Sequence, residues 1–283
     1  MLAEWANFAP MKSETRLTEQ DSPYRHLEQA PVGDLLQWIN REDATVAVAV
    51  ARSLPQIEAF VEAVSAPFNE GGRLFYIGSG TSGRLGILDA SECPPTFGVA
   101  AGKVIGVIAG GDAAIRKAQE FAEDDMQQAW RDLEAWEPTA RDAVLGISAS
   151  GTTPYVLGGL QEARRRGLIT GSLACNPDSA VSGMAAYPIE LVTGPEFLTG
   201  STRMKAGTAQ KMVLNMISTA LMIRFGRVQD NKMVDMQLSN QKLIDRGTRI
   251  LVRLYDWSYD EARERLLAAG SVRQVISQTE QTA

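Results

Sequence analysis

The sequence predicts an α/β protein: a three-layer, doubly wound parallel sheet with N-terminal and C-terminal helical segments. Two observations carry this. Five short apolar runs follow one another: "RLFYIG" (73–78), "KVIGVIAG" (103–110), "DAVLGIS" (142–148), "LITGSLAC" (168–175) and "YPIELVT" (187–193). Helical patterns fall between them, near 83–91, 112–135 and 154–167. Near-continuous apolar strands belong to a parallel sheet covered on both faces, and right-handed crossovers wind such a sheet doubly.

The elements follow in chain order. Residues 1–30 are polar without a sustained period and read as an arm or loop. From Pro31 to about Ala66, Leu35, Leu36, Ile39, Val46, Val50, Leu54, Ile57 and Val61 recur at three- and four-residue steps, predicting two helices with a break near "NRED" (40–43). The strand–helix alternation then occupies the middle of the chain. From Thr202 to about Leu251 the pattern is helical again, with "AQKMVLNMISTALMIRFG" as a core or subunit-contact helix. A short amphipathic helix, "SYDEARERLLAAG" (258–270), has Ser258 as its N-cap and Gly270 as its terminator, and the polar residues after it are expected to fray. The expected division is an arm and helices over 1–63, a ligand-binding α/β domain over 64–227 and a helical region over 228–283.

Composition excludes several classes. The 283 residues are 45% hydrophobic and 22% charged, ordinary for a globular protein. No apolar run is long enough to span a bilayer, and no basic stretch with an apolar run and cleavage site marks an export signal. The expectation is a cytoplasmic protein without membrane contact. A net charge of −6, with only "ARRRG" (163–167) locally basic, argues against nucleic acid. The one histidine, His26, is expected at the surface or in a cap, and Cys93 and Cys175 as structural thiols. That inventory holds no metal set and no Ser-His-Asp triad, so catalysis must use carboxylates, hydroxyls, lysines or backbone dipoles.

"GSGTSGRLG" (78–86) follows the first strand, and Gly78, Gly80 and Gly83 satisfy G-x-G-x-x-G. A dinucleotide loop needs an acid about 20 residues on, at the end of the second strand. Lys103 stands there, and the nearest acid, Asp112, is late. No Walker lysine is present either. The stretch offers hydroxyls instead: Ser79, Gly80, Thr81 and Ser82 sit where a helix should begin, whose free N–H groups suit a phosphate. The pattern recurs in "DAVLGISASGTTPYV", where Ser148, Ser150, Gly151, Thr152 and Thr153 precede Pro154, a residue suited to a first helical turn. Two such loops at the carboxyl ends of parallel strands predict a phosphorylated small molecule as ligand.

This pair of loops resembles the sugar isomerase (SIS) domain. The longer stretches "GGRLFYIGSGTSGRLGILDASECPPTFG" (71–98), "IAGG…AEDD" (108–125), "GISASGTTPYV" (146–156) and "GPEFLTGSTRMKAGTAQKMVLNMISTALMIRFG" (194–226) resemble the N-acetylmuramic acid 6-phosphate etherases, relatives of the glucokinase regulatory protein. The resemblance runs from about Thr18 through the C-terminal helices. It implies a carbon–oxygen lyase that cleaves the D-lactyl ether of N-acetylmuramic acid 6-phosphate by elimination and then hydration. The products are N-acetylglucosamine 6-phosphate and D-lactate, in cell-wall amino-sugar recycling or catabolism. It implies a homodimer acting on a phosphorylated amino sugar with no cofactor and no metal. By the same resemblance Glu92, in "SECPP", is the proton donor to departing lactate and Glu123, in "AEDD", is the base at carbon 2. Stepping 100° per residue from Ile115 places Glu123 at the border of the apolar face of a 112–135 helix, where partial burial would raise its pKa. Glu92 would follow the first loop's helix and precede two prolines. Arg203, Lys205 and Glu196 fit a pocket, a subunit contact or helix-end ion pairing equally. Two alternatives share the fold: a non-catalytic phosphosugar sensor and a sugar-phosphate isomerase.

Overall fold

The protein is described by a computed structural model over residues 16–282. Five parallel strands, β1 (Leu74–Gly78), β2 (Val104–Ile108), β3 (Ala143–Ser148), β4 (Ile169–Ala174) and β5 (Tyr187–Glu190), form one sheet in the order β2-β1-β3-β4-β5. Side chains alternate along each strand and so serve two cores. Leu74, Tyr76, Leu145 and Ile147 face one side, where α2 (Val46–Arg52), α3 (Leu54–Asn69), α4 (Gly80–Phe97) and α9 (Lys205–Arg224) pack. Phe75, Ile77 and Val144 face the other, under α6 (Gln128–Glu134), α7 (Pro154–Arg165) and α8 (Ala180–Met184). The three layers and the parallel sheet are those expected.

From β1 the chain first winds outward to β2, then returns past β1 to β3. The direction of winding therefore reverses between β1 and β3, and their carboxyl ends flank the crevice where such sheets collect ligands. The two hydroxyl loops are the loops that leave these two strands.

A third cluster lies in the C-terminal helices α10 (Gln241–Tyr255), α11 (Tyr259–Ala269) and α12 (Val272–Thr282), around Leu251, Leu266 and Val275. Ser258 accepts a hydrogen bond from the Glu261 N–H at 3.2 Å and Gly270 is left-handed at φ 84°, as the capping pattern predicts. This unit meets the body at the far end of α4, where the Gln237 N–H donates to the Pro95 carbonyl and Arg273 pairs with Asp235 near Gly226. No single helix among the described residues is long and apolar enough to cross a membrane.

Several local expectations are corrected. The helical stretch expected from Thr202 to about Leu251 is interrupted between α9 and α10, and the polar end beyond Gly270 forms α12, which buries Val272 and Val275. The N-terminal pair of helices is three: α1 (Val32–Asp43) ends as expected, but the second stretch breaks at Ser53, ahead of Pro55, into α2 and α3. Pro55 lacks the N–H a continuous helix needs, and the Ser53 hydroxyl is turned to the Glu190 carbonyl at 2.6 Å. The expected 112–135 helix is three pieces: α5 (Ala113–Arg116), a 3-10 turn over Glu120–Glu123, and α6. Arg84 from α4 donates to the Ala114 and Ile115 carbonyls at 2.7 and 2.9 Å, capturing acceptors that further helix would use. Asp125 then bonds the Gln127 N–H at 2.7 Å, a local alternative to helical bonding. Finally, α4 does not end before Glu92 but runs through Pro94 and Pro95 to Gly98, so Glu92 lies inside the helix.

Candidate active site

The β1–α4 loop turns tightly because Gly78 and Gly83 touch: a Cβ on Gly83 would stand 2.7 Å from the Gly78 carbonyl oxygen. Ser79, extended at the N-cap of α4, does not cap the helix with its hydroxyl. The hydroxyl donates instead to Glu123 Oε2 at 2.7 Å. The first-turn N–H groups of an 18-residue helix therefore stay open beside a carboxylate. Thr81 is half-buried at this mouth, whereas the buried Ser82 donates to Gln210 of α9 at 2.9 Å and faces away from it.

The β3–α7 loop is knitted from its own hydroxyls. Ser148 Oγ lies 2.8 Å from Thr153 Oγ1 and accepts the Gly151 N–H at 3.1 Å; Ser150 Oγ accepts the Thr152 N–H and hydroxyl at 3.3 and 3.2 Å. Gly151 is obligatory, with φ 75° and a would-be Cβ only 2.3 Å from that of Ser179. Asn176, beyond β4, clamps the loop from behind by donating to the Ala149 and Ser150 carbonyls at 3.1 and 3.2 Å. Nothing in the loop's composition announced Asn176. A residue in a turn after a strand carries no signal of its own.

Glu123 is exposed and ends a 3-10 turn, so its expected place on a helix border is corrected; the bond to Ser79 brings it to the site. Glu92 is not brought there within one chain. It stands twelve residues along α4, roughly 18 Å from the loop at the α-helical rise. Its surroundings are a cleft of about 300 Å³ between α4 and α9, shared with Asp89, Lys211, Asn215 and Thr219. One turn before Glu92, Asp89 is buried and accepts from Tyr76 Oη at 3.0 Å and Ser218 Oγ at 3.1 Å. Burial pushes its carboxyl up, opposed by those two hydrogen bonds and by Lys211. Burial likewise pushes the Cys93 thiol up to about 12, with the charges of Asp89 and Glu92 adding to it.

The open assignments in 194–207 close on structure. Glu196 is buried and accepts from the Lys205 and Ala206 N–H groups at 2.8 and 2.9 Å, capping α9, and Lys205 Nζ pairs with Glu42 at 2.5 Å. Arg203 is exposed. His26 is exposed at the surface, and Cys93 and Cys175 are buried free thiols. Among the described residues no cluster of three His, Cys, Asp or Glu could hold a metal.

A doubly wound sheet with two hydroxyl loops at its switch point is the arrangement of a sugar isomerase (SIS) domain. The comparisons agree. Residues 56–164 match the family model of the glucokinase regulatory protein N-terminal SIS domain, and residues 230–283 that of the C-terminal lid domain of glucokinase regulatory protein. An Escherichia coli CFT073 protein, solved as a ligand complex, shares the fold with a TM-score of 0.52 at 17% identity, over 71% of this chain and 97% of that one. Curated relatives are far nearer. The N-acetylmuramic acid 6-phosphate etherase of Christiangramia forsetii is 56% identical over 92% of this chain and 94% of its own length. Those of Porphyromonas gingivalis and Lactococcus lactis are 57% and 51% identical, over 91% and 86% of this chain and 94% and 82% of theirs. The chain belongs to the N-acetylmuramic acid 6-phosphate etherase family.

Proposed function

We propose that this protein is a carbon–oxygen lyase that cleaves the D-lactyl ether of N-acetylmuramic acid 6-phosphate, releasing D-lactate and N-acetylglucosamine 6-phosphate. The observation that carries the reading is Glu123 held on Ser79 at the switch point, in a chain more than half identical to named etherases. An ether is a poor leaving group, but the open-chain sugar acidifies the proton on carbon 2. Glu123 takes that proton; the carbon 3–oxygen bond breaks, and lactate leaves with a proton supplied by an acid. Water then adds across the carbon 2–carbon 3 double bond. The steps sum to ether plus water giving alcohol plus lactate, and need only a base, an acid and donors for the enolate oxygen.

Within this reading the loops divide the ligand. A phosphate dianion beside Glu123 would be repelled, so the phosphate belongs to Ser148, Ser150, Gly151 and Thr152, and the reacting carbons to Ser79, Gly80 and Thr81. Ser82, turned to Gln210, supports the loop.

Glu92 enters as the acid from a second copy. One chain leaves it roughly 18 Å from its own loop. The helices on its side of the sheet expose Leu54, Leu88, Met216 and Ile223, each at least 37% accessible. A groove of about 910 Å³ between α3 and α9 adjoins them. A homodimer that covers this face can bring one copy's Glu92 to the other copy's loops. The setting is cytoplasmic in the same proposal, which the two unpaired buried thiols support.

The test is D-lactate release from N-acetylmuramic acid 6-phosphate. Stoichiometric lactate with N-acetylglucosamine 6-phosphate is expected. Protection against unfolding without lactate would make the chain a phosphosugar sensor, and a ketose product an isomerase. Mixing Glu92→Gln with Glu123→Gln subunits should restore about a quarter of wild-type turnover through random pairing, since half the dimers then hold one intact shared site. No recovery despite subunit exchange would remove the shared site.

A further inference from the structure

The N-terminal arm reaches the β3–α7 loop and leaves a cation there. Arg16 Nη1 donates to Thr152 Oγ1 at 3.2 Å, while its Nε is buried with no hydrogen-bond partner. Among the described residues Arg16 forms no ion pair, and its guanidinium donates to the neutral Thr152 hydroxyl rather than to a carboxylate. Its position is built, because Thr18, two residues on and fully buried, is locked to the same asparagine that clamps the loop. The Thr18 N–H donates to Asn176 Oδ1 at 3.3 Å, and Asn176 Nδ2 donates to Thr18 Oγ1 at 3.0 Å. Further along, the Ser22 N–H donates to Thr199 Oγ1 at 2.9 Å. One side chain thus fixes both the arm and the loop, and sets the distance between Arg16 and Thr152.

We propose that Arg16 is a phosphate-binding residue: the arm lends the hydroxyl loop the positive charge that its own sequence lacks. The proposal deepens the functional reading above and rests on its placing of the phosphate. The physical case is one of charge and orphaned donors. Ser148, Ser150, Thr152 and Thr153 are neutral, and the loop's Gly151 and Thr152 N–H groups already bond within the loop. A dianion there needs further donors, and a guanidinium presents several in a fork that matches phosphate oxygens two at a time. A buried N–H without a partner is costly, and a phosphate that drew the guanidinium out toward the loop would relieve it.

The experiment compares binding of N-acetylglucosamine 6-phosphate and N-acetylglucosamine by calorimetry, in wild type, Arg16→Ala and Arg16→Lys. Loss of a charged contact predicts that Arg16→Ala weakens the phosphorylated sugar ~10- to 100-fold and leaves the unphosphorylated one unchanged. Arg16→Lys should recover part of the loss. With N-acetylmuramic acid 6-phosphate, KM should rise by a similar factor while kcat stays within a few-fold. Equal weakening of both sugars, or no weakening, overturns the assignment. The binding readout does not depend on lactate release: a wild-type chain that prefers the phosphorylated sugar but releases no lactate fails as an etherase while the Arg16 test stands.

Discussion

The turn after β1 and the turn after β3 are built from the same few residue types, yet one holds out a carboxylate and the other a guanidinium. In the first, the backbone donors are open and the hydroxyl of Ser79 is spent on Glu123. In the second, the backbone donors bond inward, and Arg16 stands over Thr152. A carboxylate ~4 Å from one phosphate charge costs about 1 kcal/mol in water and about 4 at the effective dielectric of a protein surface. That difference is enough to orient a sugar phosphate across the crevice. Glycine and serine make a place for a ligand; side chains from remote segments decide which end of it goes where.

The largest effect expected from breaking this asymmetry is at Glu123. Glu123→Gln should lower turnover by at least ~10²-fold, as loss of a general base does, with N-acetylglucosamine 6-phosphate binding kept within a few-fold. Steady-state kinetics beside calorimetry checks this, and unaffected turnover would strip Glu123 of its role. Next come the serines, one from each loop. Ser150→Ala should weaken the phosphorylated sugar about 10-fold, whereas Ser79→Ala, which frees Glu123, should lower kcat more than affinity. Equal affinity losses at both positions would erase the distinction between the loops.

The glycines sharpen it at the level of stability. Gly151→Ala meets both a left-handed φ and the Ser179 side chain, and should cost about 3 kcal/mol. Gly80→Ala has φ 51° but open space around it, and should cost only about 1–2 kcal/mol. Chemical denaturation resolves the two.

An effect no larger than that at Gly151, and one that vanishes in acid, is expected at the opposite ends of the same strands. There Asp142 bonds Arg73 through its backbone N–H at 2.7 Å and its guanidinium at 2.8 Å, and the Thr139 N–H at 2.7 Å. Burial alone would raise this carboxyl, but the Arg73 and Thr139 hydrogen bonds and the Arg73 charge hold it below its ordinary value. A depressed folded pKa gives stability that is complete above the unfolded value of about 4 and is lost as pH falls through the folded one. Asp142→Asn should therefore cost about 1–3 kcal/mol near pH 7 and nothing in strong acid, with turnover per folded molecule unchanged. A constant cost across pH would show that the pairing is not the cause.

The strands and both loops were legible because apolar runs and hydroxyl–glycine clusters are local signals. The broken 112–135 region was not: Arg84, some thirty residues earlier, takes the carbonyls that would have carried a helix onward. Arg16 and Thr18 lie in a polar arm with no period, and their partners stand 136 and 158 residues away. Asp89 reads as an ordinary helix acid until Tyr76 and Ser218 close on it. Glu92 was found through resemblance, but the twelve helical residues that precede it in α4 carry it far from its own loop. Pairings made across the fold leave no trace in any short window of sequence.

The placement of the ligand across the crevice is tested most directly by a crystal structure with N-acetylglucosamine 6-phosphate bound. Phosphate oxygens are expected within hydrogen-bond reach of Ser150, Thr152 and Arg16, with carbon 2 facing Glu123. Phosphate seated on the open N–H groups beside Ser79, with the sugar ring toward Ser150, would contradict it.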